Sequence, residues 1–301
     1  MEGRNKAHLR REPRSQMLKY SPAAWTATTV FVIVIRGHLD MNQPTISTNE
    51  IYEMLRHTPG MQGHTASLAL HAKRYERLFA TVSSLVSSID RREISILDVG
   101  PWWQTAILRT LLSVHVDTMG LGEAPPGIDQ PRGGENYYQQ DLNRAVYEEY
   151  RADIPPHDIV VMAEVIEHLP IAPTHMLRRI KQYVKRGGFL ILTTPNAVSL
   201  EKRIKLMKGK VPYTLISEDP TYPSHFREYT VAELLAFARV CGLNCISHKT
   251  TDDWYWRYNP TLNSQTGLQG MKHRLGIRLH ETIGALLPDS LKESILMVLT
   301  H

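Results

Sequence analysis

Cysteine is scarce in this chain of 301 residues, which contains only Cys241 and Cys245. The two residues flank a predicted turn, no Cys-x-x-Cys spacing is present, and no paired histidines stand beside them. These absences exclude a disulfide scaffold and give no sign of a cysteine-based metal site. We expect two free, partly buried thiols, which fits a reducing compartment, and we predict a cytoplasmic protein with no bound metal.

Most of the chain also has almost no net charge. The formal charge is +5, but residues 1–40 alone carry seven basic and three acidic side chains, a net charge of +4. The remaining residues are close to neutral and lack the basic stripe that a nucleic-acid enzyme needs on its folded body. The composition therefore argues against nucleic acid as a partner.

No apolar run is long enough to span a bilayer comfortably, because about 20 residues are needed. Residues 23–35 form an apolar run of 13 residues behind a basic stretch. We favour a physiological start at Met41, with residues 1–40 as a basic and apolar extension outside the fold. A membrane-proximal anchor is the second interpretation, and a secretory signal is the third.

Internal repeats and low-complexity tracts are absent, so the length predicts one substantial domain with extensions. We predict that residues 41–93 form a helical lead-in or lid and that most of residues 49–90 are helical. From residue 94 short apolar runs alternate with amphipathic stretches, which predicts parallel strands joined by crossover helices. The predicted strands are 94–99, 114–121, 136–140, 158–163, 188–194, 243–249 and 293–300, and the predicted helices are 103–112, 173–185 and 231–240.

Several details refine this domain, which we place at residues 94–301 with insertions at about 197–224 and 250–290. The strands near 158–163 and 188–194 are apolar almost throughout and should be central. Thr230 and Glu233 form a predicted capping box at the start of the helix that stops at Gly242. The irregular region 250–290 contains an aromatic segment, 254–258, which is either a substrate wall or packing over the sheet edge.

One strand ends in a motif that points to a ligand. Ile94-Ser-Ile-Leu-Asp-Val-Gly100 is an apolar strand that ends in an acid and a glycine before a helix. Parallel sheets bind ligands beyond the carboxyl ends of such strands, where Gly100 lets the backbone approach closely. Asp98 could meet a cationic group of the ligand or order the turn.

Four further segments follow in a familiar order. They are Tyr137-Tyr-Gln-Gln-Asp-Leu142, Asp158-Ile-Val-Val-Met-Ala-Glu-Val-Ile-Glu-His-Leu169, Lys185-Arg-Gly-Gly-Phe-Leu-Ile-Leu-Thr-Thr-Pro-Asn196 and His225-Phe-Arg-Glu-Tyr-Thr-Val-Ala-Glu-Leu234. Together with the first motif they resemble the class I S-adenosylmethionine-dependent methyltransferases. The likeness is to the small-molecule branch that includes the ubiquinone-pathway O-methyltransferases, and it covers about residues 94–249.

The resemblance implies a Rossmann-like doubly wound sheet, mostly parallel with an antiparallel last strand, and S-adenosylmethionine as cofactor. It also implies a set of cofactor-binding residues. These are Asp98, Gly100, Pro101, Glu123, Asp141, Leu142 and Glu164. In this set Asp141 meets the adenine amine and Glu123 holds the ribose, with Asp117 as the alternative.

The chain departs from the family where the glycine-rich turn continues as Gly100-Pro101-Trp102-Trp103. Trp side chains could line the cofactor pocket or fill it, so a non-catalytic binding protein of this fold remains an alternative. A nicotinamide-dependent oxidoreductase is a weaker alternative, because this turn lacks the glycines that would let its backbone bind a pyrophosphate.

Methyl transfer from a sulfonium requires alignment of the nucleophile, the methyl carbon and the leaving sulfur, and a hydroxyl acceptor also benefits from a general base. We predict His168 and Glu167 as catalytic residues. The alternative is that His168 only caps or packs the loop and that Glu164 shapes the pocket. His225, Arg227 and Tyr229 are candidate substrate contacts, with a structural bond of Arg227 as the alternative.

The stretch 201–210 is basic and amphipathic. It is either a solvated face or a contact for an anionic membrane, a phosphorylated substrate carrier or a nucleic acid. We favour a small-molecule or lipid- or glycan-linked acceptor. The sequence leaves the acceptor atom and the oligomeric state undetermined, although oxygen is the atom we favour.

Overall fold

The computed structural model describes residues 46–57, 65–89, 93–122, 131–218, 224–251 and 266–301. The three interpretations of residues 1–40, the aromatic segment 254–258 and the predicted ribose ligand Glu123 all lie outside these residues. Within the described ranges, no helix has both the length and the apolar character required to cross a bilayer.

Seven strands of the described chain form one sheet in the order β3-β2-β1-β4-β5-β7-β6. Strands β1 to β5 pair in parallel, and β7 runs antiparallel to both β5 and β6. This confirms the predicted doubly wound sheet with an antiparallel last strand. The strands are β1 (Ile96–Val99), β2 (Val116–Gly120), β3 (Tyr137–Gln139), β4 (His157–Ala163), β5 (Val184–Pro195), β6 (Asn244–Thr251) and β7 (Ser294–Thr300).

Helices cover both faces of the sheet. The helices of the described residues are α1 (Thr48–Leu55), α2 (Thr65–Ser88), α3 (Trp103–Leu111), α4 (Pro173–Lys181), α5 (Leu200–Met207), α6 (Val231–Val240) and α7 (Leu268–Leu286). Helices α2 and α3 pack on the face that bears Ile96 and Val161, and α4 and α6 pack on the face that bears Leu97 and Val160. Successive strand residues enter opposite cores, which explains why the central strands are apolar throughout.

The lead-in helices α1 and α2 form a third apolar cluster with α3. Helix α1 begins with a capping box in which Ser47 and Glu50 bond each other's backbone N–H. Trp103, fully buried, contributes the largest side chain of this cluster. The lead-in helices therefore share buried surface with the helix that follows the first sheet motif.

The amino end of β4 is held by a buried polar contact. The Asp158 carboxylate accepts hydrogen bonds from the backbone N–H and hydroxyl of Ser95, and Lys185 Nζ lies 2.8 Å from it. Burial acts to raise the pKa of Asp158, but the hydrogen bonds from Lys185 and Ser95 prevail and lower it. This contact joins β1, β4 and β5 at the edge opposite the ligand motif.

The structure corrects two predicted boundaries. Residues 268–286 form a helix, whereas the sequence suggested an irregular region over 250–290. Leu268, Met271, Leu275 and Leu279 recur at helical spacing, a signal that the prediction did not use, and in the structure these side chains are exposed. The helix predicted over 173–185 ends at Lys181, because Val184 already pairs with His157 in the sheet.

The predicted capping box at α6 is confirmed. Thr230 Oγ1 accepts from Glu233 N, the Glu233 carboxylate accepts from Thr230 N, and Gly242 follows the helix with a φ of 67°. Cys241 and Cys245 are both free, as predicted.

Candidate functional site

The carboxyl ends of β1, β2, β3 and β4 meet along one edge of the sheet, as the parallel register requires. At the end of β1, Gly100 has a φ of 72°, and its N–H donates to the carbonyl of Met119 at 2.9 Å. A Cβ at Gly100 would lie 2.7 Å from Val165 Cγ2, in the loop after β4. Only glycine therefore suits this turn, both for its left-handed backbone and for its close approach to β4.

Asp98 orders the turn into α3. Its carboxylate is fully buried and accepts the Thr105 hydroxyl at 2.6 Å and Gln104 Nε2 at 3.4 Å. Gln104 Nε2 also donates to the carbonyl of Gly100 at 2.9 Å. Asp98 therefore orders the turn, which is one of its two predicted roles, and its contact with a cationic group of the ligand stays a prediction.

The two tryptophans of the turn lie in different surroundings. Trp103 is buried among the lead-in helices, while Trp102 is 39% exposed, and their rings meet edge to face at 6.4 Å. The Trp103 indole therefore packs against α1 and α2.

The predicted acids of β2 and β3 have separate positions. Asp117, the alternative ribose ligand, lies in the amino half of β2, where His157 Nε2 at 3.1 Å and Asn136 N at 2.8 Å contact it. It is therefore not a strand-end acid. Asp141 follows β3 and caps a short 3-10 turn by accepting from Asn143 N at 2.9 Å, and Leu142 is buried in the core.

Glu164, directly after β4, has a φ of 56°, an uncommon conformation for a residue with a side chain. Such strain costs roughly 1–3 kcal/mol and tends to occur at functional sites. The carboxylate contacts Arg74 at 2.8 Å and accepts the Thr193 hydroxyl at 2.9 Å. Burial is the largest single influence on Arg74 and acts to lower its pKa, but Glu164, Tyr75 and Glu167 together prevail and raise the pKa of the guanidinium.

Glu167 is fully buried in the same loop. One carboxylate oxygen accepts the Thr194 hydroxyl at 2.9 Å, and the other, Oε1, has no hydrogen-bond partner among the described residues. Burial, and then the nearby charge of Glu164, raise the pKa of Glu167 well above its usual range. This carboxyl group is the least satisfied acid of the site.

His168 and His225 come together beside Glu167. Their ring centroids are 4.8 Å apart in an edge-to-face arrangement. His168 Nδ1 lies 3.2 Å from the carbonyl of Ser224, and His225 Nδ1 lies 3.1 Å from Glu228 Oε1. The carbonyl of Glu167 accepts Phe226 N at 2.7 Å, so backbone bonding holds the two loops together.

Arg227 and Tyr229 serve mainly structural contacts. Arg227 pairs with Glu233, the capping-box residue of α6, and its guanidinium lies 5.2 Å from the centroid of the Tyr229 ring. Tyr229 is buried and forms a backbone bridge with Asn196. The structure thus brings His225 to the predicted catalytic pair, while Arg227 makes the structural bond that the sequence left as the alternative.

Sequence reasoning missed three residues of α2 that approach this edge: His71, Arg74 and Tyr75. Burial raises the pKa of Tyr75 to about 12, and both Glu164 and Asp98 influence this phenol. Burial, with a smaller contribution from Arg74, lowers the pKa of His71 to about 3. A signal was available, because these polar residues stand inside the apolar periodicity of a helix whose neighbours Leu68, Ala72 and Leu78 are buried.

The fold and this edge define a class of protein. A doubly wound sheet with a glycine turn after β1 and acids after β3 and β4 is the architecture of a class I methyltransferase. A family model described as a methyltransferase domain matches residues 70–248, more than half of the chain. The chain belongs to this family, whose cofactor is S-adenosylmethionine.

The individual relatives are distant. A ubiquinone biosynthesis O-methyltransferase from Marinobacter nauticus is 31% identical over 90 residues, which are 29% of this chain and 37% of that relative. A SAM-dependent methyltransferase from Archaeoglobus fulgidus covers 75% of this chain and 94% of its own, with 15% identity and a TM-score of 0.46. An S-adenosylmethionine-dependent methyltransferase from Mesorhizobium loti covers 73% and 96%, with 13% identity and a TM-score of 0.44.

The described residues fit this cofactor chemically. S-adenosylmethionine carries an ammonium cation and an adenine amine as hydrogen-bond donors, and the edge offers the carboxylates of Asp141 and Glu164 after β3 and β4 as acceptors. The cofactor's methionine has no phosphate, so the turn from Gly100 to Trp102 does not need the backbone cradle of a dinucleotide site.

Proposed function

We propose that this protein transfers a methyl group from S-adenosylmethionine to an oxygen of a small-molecule or lipid- or glycan-linked acceptor. The observation that carries the proposal is the pairing of His168 with His225 beside buried Glu167, next to the Gly100 turn. Val165 links the two halves of the site, because it lies against Gly100 and immediately precedes the turn Ile166–His168.

On this proposal the cofactor, when bound, supplies an electrophilic methyl group on its sulfonium. The backbone at Gly100 and Pro101 and the carboxylates of Asp141 and Glu164 would hold it. Arg74 holds the Glu164 carboxylate in place, with 2.8 Å between their charged atoms. Alignment of the acceptor with the methyl group then supplies most of the rate enhancement.

His168 is the proposed general base. A carbonyl can only accept a hydrogen bond, so the contact with Ser224 assigns the proton of neutral His168 to Nδ1. The lone pair is then on Nε2, which can take a proton from an acceptor hydroxyl. This supports oxygen as the methyl acceptor, since a neutral amine would not need the base.

A membrane-bound acceptor is supported by the surface of α5 and the residues after it. Leu206, Met207 and Val211 are 55%, 79% and 76% exposed, and Lys208 and Lys210 stand between them on the exposed surface. Helix α5 follows β5 directly and so leaves the sheet at the edge that holds the site. Exposed apolar side chains flanked by lysines match the chemistry of an anionic membrane surface.

Calorimetry and methyl transfer together test the enzymatic proposal. We expect the chain to bind S-adenosylmethionine and S-adenosylhomocysteine and to methylate a hydroxyl compound in a panel of phenols, sugars and amines. His168→Gln should lower kcat by about 10²–10⁴-fold while the affinity for S-adenosylhomocysteine is kept. His248→Gln, on the exposed face of β6, is the matched control.

Absence of heat with either adenosyl ligand would refute the proposal and favour the non-catalytic binding protein. Heat with a nicotinamide cofactor instead would favour the oxidoreductase. Flotation with phosphatidylserine vesicles tests the membrane contact separately. We expect the chain to float with the vesicles both with and without residues 1–40. A Lys208→Glu/Lys210→Glu variant should stay unbound at the bottom of the gradient.

A further inference from the structure

We propose that helix α7 (Leu268–Leu286) is an interfacial anchor that holds the protein on an anionic lipid surface. Five of its apolar side chains are between 56% and 80% exposed instead of packed on the core. They are Leu268, Met271, Leu275, Leu279 and Leu286. A contiguous exposed apolar surface marks a site that contacts a protein or a membrane.

These five side chains form one straight stripe. An α-helix turns by about 100° per residue, so their positions fall within about 80° of its circumference. Leu268 and Leu286 are separated by about five full turns and therefore lie on the same line along the helix. A stripe of this period stays on one side of a straight helix, as contact with a flat surface requires. A coiled coil would instead need a strict seven-residue repeat.

Basic residues border the stripe. Lys272 and Arg278 are exposed, and the helical spacing places them on its two opposite edges. The whole helix contains three basic residues, the third being Arg274, and a single acidic one. Apolar side chains flanked by Lys and Arg are typical of helices that lie in the plane of an anionic membrane. A second copy of this helix would bring like charges together at both edges, so the charges favour a lipid surface over self-association.

Helix α7 lies at the edge of the sheet that holds the candidate site. Strand β7, which follows it, begins at Ser294, and Ser294 pairs with Pro195 at the carboxyl end of β5. Asn196 donates its side-chain amide to the carbonyls of Ser290 and Lys292, at 3.1 and 2.7 Å. The segment after α7 is therefore tied to the loop that leads into α5.

This anchor adds to the proposed membrane contact of α5, and it does not depend on methyl transfer. Stable attachment to a membrane takes two contacts, because one weak contact alone gives only marginal and reversible binding. Loss of either contact should therefore release the protein from vesicles.

Sedimentation with lipid vesicles tests the apolar stripe. We measure partition of the full chain onto phosphatidylcholine vesicles with and without phosphatidylserine. Leu275→Gln/Leu279→Gln should lower the partition coefficient on phosphatidylserine vesicles by about 10–100-fold, since both leucines lose their apolar contact with the lipid. Val146→Gln/Val240→Gln is the matched control, because both valines are exposed and lie outside α7. It should bind as the wild type does.

The same assay tests the basic edges. Lys272→Gln/Arg278→Gln should weaken binding by about 25-fold, or about fivefold for each charge, on vesicles that contain phosphatidylserine. Arg178→Gln/Arg239→Gln, at exposed positions of α4 and α6, is the matched control and should bind as the wild type does. Added salt should reduce the difference, because it screens exposed charges.

Two outcomes would overturn the anchor. Equal partition of the wild type and both α7 variants is the first, with urea unfolding of each variant to confirm that it is folded. The second is a dimer in sedimentation equilibrium that Leu275→Gln/Leu279→Gln converts to a monomer, because a second copy would then cover the stripe.

Calorimetry with S-adenosylhomocysteine separates this inference from the proposed function. Heat with this ligand, together with vesicle binding that does not need α7, would overturn the anchor and leave methyl transfer standing. Vesicle binding that requires α7, without any such heat, would support the anchor and refute methyl transfer. Normal flotation of Lys208→Glu/Lys210→Glu beside loss of binding in the α7 variants would support the anchor and refute the contact of α5.

Discussion

Replacement of Gly100 by Ala should strongly destabilise the protein, and the cost can be worked out from two features of the turn. The φ of 72° puts an L side chain in the left-handed region, which costs about 1–2 kcal/mol. The added Cβ would lie 2.7 Å from Val165 Cγ2, well inside the usual carbon separation of about 3.5–4.0 Å. Overpacking of this kind costs about 1–3 kcal/mol, so the expected total is about 2–5 kcal/mol.

Urea unfolding of three variants separates the two costs. Gly209→Ala is the matched control, because its φ is 68° and nothing lies within 4 Å of the added Cβ. It should show only the backbone cost. Gly100→Ala combined with Val165→Ala should be less destabilised than the sum of the single variants, by about 1–3 kcal/mol. The reasoning is refuted if Gly100→Ala costs no more than Gly209→Ala, or if Val165→Ala brings no relief.

Three further predictions concern stability. Trp103→Ala should lower the free energy of unfolding by about 3–5 kcal/mol because the indole is fully buried, and Trp102→Ala, at a partly exposed position, by about 1 kcal/mol or less. Asp98→Asn should cost about 1–3 kcal/mol, since the amide cannot accept both buried hydrogen bonds, as urea midpoints would show. Asp158→Asn should destabilise the protein at pH 7, and this difference should shrink in acid. The folded-state pKa of Asp158 is lowered, so its contribution is present above the ordinary pKa of about 4 and is lost as the pH falls through the lowered value.

Each of these predictions has a clear contrary result. Equal urea midpoints for the two tryptophan variants would contradict the buried placement of Trp103. Unchanged stability of Asp98→Asn would mean that its carboxylate does not order the turn. A difference between wild type and Asp158→Asn that stays constant down to pH 3 would contradict the lowered pKa. Asp153→Asn, at an exposed carboxylate, is a control for general acid effects.

Much of the fold could be read from the sequence because its signals are local. The central strands β4 and β5 were visible as apolar runs, and the α6 capping box needed only Thr230 and Glu233 at the right spacing. Helix α7 was missed although its apolar residues recur at helical spacing. In the structure these residues are exposed, so the helix does not add a face to the core. Ends of elements were also misplaced where a neighbouring strand decided them, as at Val184.

The candidate site was only partly readable. The motif residues after β1 and β4 could be identified from the sequence because they directly follow apolar strands and occur in the same order as in the family. Arg74 was missed, because its partner Glu164 is distant in sequence and the ion pair exists only when α2 packs over the edge. The sequence left open whether Arg227 makes a structural bond, and the structure shows that its partner is Glu233 in α6.

The sequence by itself determined the seven strands in chain order, the glycine turn and the acids that follow the strands, because hydrophobic periodicity and backbone preference act between near neighbours. Tertiary structure alone decided which charges meet. It buried Glu167 with one oxygen unmatched, turned Trp103 into the lead-in helices and set His225 against His168. Such pairings depend on the packing of segments far apart in the chain, which no local pattern specifies.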